Sequence, residues 1–431
     1  MRRHILTAVL GSAAVFALLL VPLSPAIGHP DSAPGEGKDA PHDGDTPEYL
    51  MEAHRNTPCV QGMAGPFPCE NVHMHSFLPM SDIGGGRGSD VWGWQDPETD
   101  RRYAIAGREN GTAFVDVTNP TRPLFLADLP TSGTQDVIWR DMKVYADHAY
   151  IVSEASEHGM QVVDLSILRE LDRRQAPHTI SETTLYTEFG RTHNLGMNFE
   201  TGYAYAVGNR EDQRGCNAGL HMIDLSDPAD PQFAGCFGDD GYTHDTQCVI
   251  YEGADERYHD REICFNSNED TLTIVDVTDK SDPEMISRTG YEQVGYTHQG
   301  WLTEDHEQFI LNDELDEILF GNNTRTYVWD LEDLEAPEVI GIHEADTAAT
   351  THNDYVVGDR VYQANYRAGL QVLDLTNVAD GELEEVASFD TYPPDDEAGF
   401  GHGSWSNYPF FDNGIVLVHG YEGLFVLRPT G

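Results

Sequence analysis

Residues Thr271 to Pro283 read TLTIVDVTDKSDP, a β-branched run that ends on an aspartate and a polar turn closed by proline. The run Leu272-Thr273-Ile274-Val275 is too short for a helix and too apolar for a surface strand, so it reads as a strand covered on both faces. The same phrase returns as GTAFVDVTNP from Gly111, GMQVVDLS from Gly159 and GLHMIDLSDP from Gly219. It returns again as RTYVWDLEDLEAP from Arg325, GLQVLDLT from Gly369 and, in worn form, GLFVLRP from Gly423. Repetition on this scale marks a chain built from stacked units that bury their faces against one another.

A second phrase punctuates the first. It appears as GRGS at Gly86, SGTQ at Ser132, GRTH at Gly190, GYTH at Gly241, GYTH at Gly295, ATTH at Ala349 and GFGH at Gly399. By subtraction the starts lie 46 to 58 residues apart, room for four short strands per unit. Seven such pairs predict an all-β chain, a seven-bladed β-propeller over residues 86–431. Blade four illustrates the plan, with strands over 244–251, 262–266, 271–277 and 284–288 and turns at Gly253-Ala254-Asp255, Asn268-Glu269-Asp270 and Asp279 to Pro283. Blade seven has room for only three strands before the chain stops. The alternating run Val72 to Leu78 is expected to supply the fourth, pairing with Leu424 to Leu427, because an open edge would leave unpaired backbone groups.

Ahead of the repeats, residues 1–28 read as a signal peptide, with Arg2 and Arg3 before an apolar core from Ile5 to Val21 and small residues at its exit. Residues 29–55 read as a flexible acidic linker, and 56–85 as a disulfide segment carrying the closing strand. Six cysteines in an exported chain favour disulfides over thiol chemistry. Other connectivities are open, but the order along the chain favours neighbours: Cys59 with Cys69, Cys216 with Cys236, Cys248 with Cys264. With 74 acidic against 25 basic residues the formal charge is −49. Nucleic acid and anionic membrane surfaces are therefore poor partners, and cations or basic surfaces better ones. No second apolar stretch is long enough to span a bilayer.

Several long phrases resemble the choice-of-anchor B family of exported proteins with LVIVD-type propeller repeats: PCVQGMAGPFPCENVHMHSFLP from Pro58, SDVWGWQDPETDRRYAIAG from Ser89, and HGMQVVDLSILR from His158. The resemblance covers roughly residues 55–430 and implies the propeller fold and a secreted, extracellular or cell-surface location. The chain departs from the family in ending at Pro429-Thr430-Gly431 without an anchor tail, which implies free secretion.

Alternating strand direction brings the start of each inner strand and each second-to-third turn to one face of the ring. That face then carries His193, His244, His298, His352 and His402, with Asp90, Asp136 and Asp245 beside them. The turns add Glu109, Glu154, Glu211, Asp212, Glu269, Asp313, Glu314 and Glu422. Imidazoles in a ring suit a transition metal, and the carboxylates suit calcium. Equally, a histidine repeated in most blades serves the blade itself by bonding a loop backbone. The aspartates ending the third strands (Asp116, Asp164, Asp224, Asp276, Asp330, Asp374) read as turn caps. Trp92, Trp94, Trp139, Trp301, Trp329 and Trp405 read as core, or as the lining of a sugar site. No nucleophile elbow, zinc-protease helix or phosphate loop is present. The expectation is a monomeric, secreted, acidic binding module for an extracellular protein, a carbohydrate or a cation. The alternative is a metal-dependent extracellular hydrolase working at the channel mouth.

Overall fold

The computed structural model describes residues 46–430. The expected signal peptide and most of the acidic linker lie outside the described residues. Seven sheets stand around one axis, antiparallel except where His178–Thr179 adds parallel to the outer edge of blade one. Each inner strand approaches the next, with that of blade seven reaching that of blade one, so the ring is closed. The inner strands are Gly88–Gln95, Arg140–Tyr145, Asn194–Asn198, Asp245–Ile250, Thr297–Leu302, Asp354–Val357 and Ser404–Tyr408. Among the described residues no helix is long and apolar enough to cross a membrane.

The repeated phrase forms the third strand of each blade. In Leu272–Asp276 every residue is buried. The reason is stacking: Val275 and Val277 pack with Tyr205, Val207, Leu220 and Met222 of blade three, while Leu272 and Ile274 pack with Phe309, Leu311 and Trp329 of blade five. Covering a side chain such as Ile274 from both sheets contributes roughly 1.5–3 kcal/mol. At the end of the strand the six aspartates act as turn caps. Each accepts the amide two residues on, from Thr118, Ser166, Ser226, Thr278, Glu332 and Thr376, at 2.7 to 2.9 Å. A register shift then recurs where the third strand meets the fourth, as between Ile274 and Val275, adding the local twist of a β-bulge.

Ring closure follows the expected pairing. Val72–Pro79 lies antiparallel to Gly423–Pro429, with Leu78 opposite Leu424, Phe77 opposite Phe425 and Met74 opposite Leu427. The middle strand of blade seven is Val416–Gly420. The N-terminal segment also does more than close blade seven. His54–Thr57 adds a fifth strand outside the closing one, and Phe67–Glu70 adds to the edge of blade six. Cys59 and Cys69 bridge between these two additions, and the Cys216–Cys236 and Cys248–Cys264 disulfides tie blades three and four.

Candidate functional site

The axial channel is lined by rings of residues at and just before the starts of the inner strands. The first holds Arg140, His193, His244, His298, His352 and Trp405. The four imidazoles follow one another around the axis, tilted by 42 to 52°, with ring centroids 4.3, 4.2 and 4.3 Å apart, and Trp405 follows His352 at 5.0 Å. Their orientation is set by the neighbouring blade. Nδ1 of His244 lies 2.8 Å from the carbonyl oxygen of His298, and Nδ1 of His352 meets that of Trp405. A carbonyl only accepts, so in both rings Nδ1 carries the hydrogen. Burial, partly offset by that bond to Trp405, lowers the His352 pKa to about 3, so the ring is neutral.

Two of the turn carboxylates reach this layer. Glu154 Oε1 is 2.7 Å from Nδ1 of His193. Glu314 lies between the next rings, its oxygens 3.7 Å from Nε2 of His298 and 3.3 Å from Nε2 of His352. The Tyr366 hydroxyl donates to Glu314 Oε1 at 2.9 Å. Other turn acids have local duties. Glu109 pairs with Arg87 at 2.8 Å, Asp212 with His221 at 3.1 Å, and Asp313 accepts the amides of Gly295 and Tyr296 at 2.7 Å each.

His402 and Asp136 are not in the channel. His402 stacks flat on Tyr392 at 4.3 Å and bonds Glu422 at 2.8 Å. Asp136 is exposed in the loop ahead of blade two. In those two blades the phrase that looks like the marker belongs to the approach loop, and the inner strand starts later, at Arg140 and Ser404. The true counterparts of His244-Asp245 are therefore Arg140-Asp141 and Trp405-Ser406. The alternation of Met142-Lys143-Val144-Tyr145 after Asp141, like Thr246 to Ile250 after Asp245, is the sequence signal that marks the strand start.

One residue deeper stand Asp90, Asp141 and Asp245, each accepting the amide of the residue that follows it at 2.5 to 2.6 Å. The inner strands of blades one, five and seven carry a register irregularity at this level, as between Thr297 and Gln299. Lys143 donates to Asp141 at 2.7 Å. Burial disfavours its charge, but Asp141, Asp90 and Asp245 together hold the lysine pKa above its usual range. Burial and the charge of Asp141 push Asp90 well above a normal carboxylate. Burial raises Asp245 to about 7, against the opposing pull of Lys143 and with the help of Asp141. Asp245 is only partly covered by protein atoms, but what it exposes faces the channel, so burial governs it.

At the far end the channel opens into an aromatic bowl of about 390 Å³ formed by Trp92, Trp94, Phe199, Trp301, Tyr408 and Phe410. Its rings meet mostly at steep angles: Trp92 with Tyr408 at 5.1 Å and Trp301 with Tyr355 at 5.0 Å. Phe199 is 47% exposed. Lys143, Asp245, Gln247 and Gln299 lie around the constriction beneath, beside Trp301 and Tyr355, and Lys143 Nζ is 4.7 Å from the Trp92 ring. Of the tryptophans, Trp329 is fully buried core, whereas Trp301 is half-buried on the bowl.

Comparison with known proteins adds one sequence match. Among the solved structures that align with the chain are the β-propeller domain of Cps50 (Swd1) from Myceliophteria thermophila and a protein from Lactobacillus plantarum. The first is 12% identical with a TM-score of 0.49, covering 82% of this chain and 100% of its own. The second is 16% identical with a TM-score of 0.48, covering 76% and 87%. Likenesses of this extent add nothing to the architecture described above. No curated protein matches the sequence. The profile of the LVIVD repeat matches residues 266–289, the third and fourth strands of blade four, so the chain is a seven-bladed β-propeller carrying an LVIVD repeat.

Proposed function

We propose that this propeller is an exported binding module of the choice-of-anchor B type that takes a carbohydrate at the aromatic bowl. The observation that carries the reading is the bowl itself, an aromatic rim over a polar floor. A sugar ring presents an apolar C–H face that stacks on an aromatic side chain and hydroxyls that need donors and acceptors at the same time. Trp301, Phe199 and Phe410 supply the first, and Asp245, Gln247, Gln299 and Lys143 the second. The three cystine bridges fit an oxidising, extracellular setting.

The test is a glycan array followed by calorimetry on the best ligand, with tryptophan fluorescence as a second readout. Trp301→Ala is expected to weaken binding by about 10-fold or more, as an aromatic anchor at the centre of a site does. Met285→Ala, an exposed apolar residue on the outer strand of blade four, is expected to change nothing. A glycan that binds Trp301→Ala as tightly as the parent would overturn the proposal. Release of a cleaved sugar would make the protein a hydrolase instead.

A further inference from the structure

The histidine layer lies at the opposite end of the channel from the bowl, and its geometry is independent of the carbohydrate reading. We propose that Nε2 of His244, His298 and His352 and the carboxylate of Glu314 form a site for one divalent transition metal of the zinc class.

Three observations support it. The candidate ligand atoms of His244, His298 and Glu314 all lie within 4.8 Å of one another, on three buried side chains. The Glu314 oxygens are 3.7 Å from His298 Nε2 and 3.3 Å from His352 Nε2. A tetrahedral ion with bonds near 2.0–2.1 Å holds its ligand atoms about 3.3 Å apart, a spacing that His352 Nε2 and Glu314 already have and toward which His244 and His298 would draw in on binding. The rings of His244 and His352 also have Nδ1 engaged by backbone carbonyls. That arrangement fixes the tautomer whose Nε2 lone pair points inward, the outer-shell support that metal-ligating histidines normally have. On Glu314 the same support comes from the Tyr366 hydroxyl, 2.9 Å from Oε1. A set of three imidazoles and one carboxylate favours zinc, cobalt, nickel or copper over calcium and magnesium, which take mostly oxygen.

The full chain, freed of metal by chelation and dialysis, is titrated with Zn²⁺ or Co²⁺ alone. One equivalent should bind, with the intense visible absorption of four-coordinate Co²⁺, and excess Ca²⁺ should not compete. Glu314→Gln and His298→Ala should each weaken binding by at least about 100-fold, and Tyr366→Phe by about 10- to 100-fold, the usual effect of losing an outer-shell partner. His402→Ala should bind as the parent does. If His298→Ala fails to fold, the near-isosteric Glu314→Gln and Tyr366→Phe still decide. Weak binding of several equivalents, competition by calcium, a six-coordinate cobalt spectrum, or affinity unchanged in Glu314→Gln would each overturn the site and leave the histidines as interblade hydrogen-bond donors.

Discussion

Asp245 on the first strand and Asp276 on the third strand of the same blade are given opposite electrostatics by the fold. Burial works against ionisation of Asp276, but bonds from Thr278 and Arg261 outweigh it and hold the carboxyl below the usual range. Its contribution to stability is present above the unfolded-state value near 4 and is lost as pH falls through the lower folded value. Asp245 runs the other way. With a folded value of about 7, its favourable contribution is complete only below the unfolded value near 4 and is lost as pH rises through 7. Asp245→Asn should therefore melt close to the parent at pH 4 and be more stable by ~1 kcal/mol at pH 8, discounted for the part of the carboxyl that meets channel water. Thermal melts at the two pH values check this. A variant less stable than the parent at pH 8 would mean that its pairing with Lys143 outweighs burial.

At the scale of the element, the closing strand is the piece on which the ring depends. Phe77 stacks on Phe425 with centroids 4.3 Å apart and meets Phe67 at 6.1 Å, so one side chain joins the closing strand to blade seven and to the strand added to blade six. Phe77→Ala should cost roughly 3–5 kcal/mol through lost burial and the cavity left behind, read as a lower denaturation midpoint. Deleting residues 56–80 would expose the whole edge of Gly423–Pro429, and the expected outcome is aggregation. A deletion that stays soluble and melts at the parental temperature would show that the ring holds without its closing strand.

For the whole molecule the dominant quantity is charge. The formal −49 makes like-charge repulsion a cost of the compact state. Raising monovalent salt from about 0.01 M to about 1 M shortens the screening length from ~30 to ~3 Å. The melting temperature should rise over that range by several degrees. A flat or falling curve would mean that ion pairs such as Arg257 with Asp255, Asp333 and Glu335 matter more than the net repulsion.

At that same scale, local chemistry repeated in every unit was legible in the sequence. The third strands, the turn-capping aspartates, the blade number and the neighbouring disulfides rest on burial and turn rules that act within tens of residues, and the closing strand Val72–Pro79 was legible from the open edge that the last unit leaves. Four histidines and two aspartates of the expected set also meet in the channel, because blade position fixes them. His402 and Asp136 do not, since a loop that imitates the marker phrase cannot be told from a strand start until backbone pairing sets the register. Glu314 between His298 and His352, Lys143 among three aspartates and the aromatic bowl are decided by the tertiary structure alone. Glu314 meets His352 of the next blade, Lys143 meets Asp90 and Asp245 of other blades, and Trp92 meets Tyr408 across the ring closure, so only closure of the ring sets the distances between them.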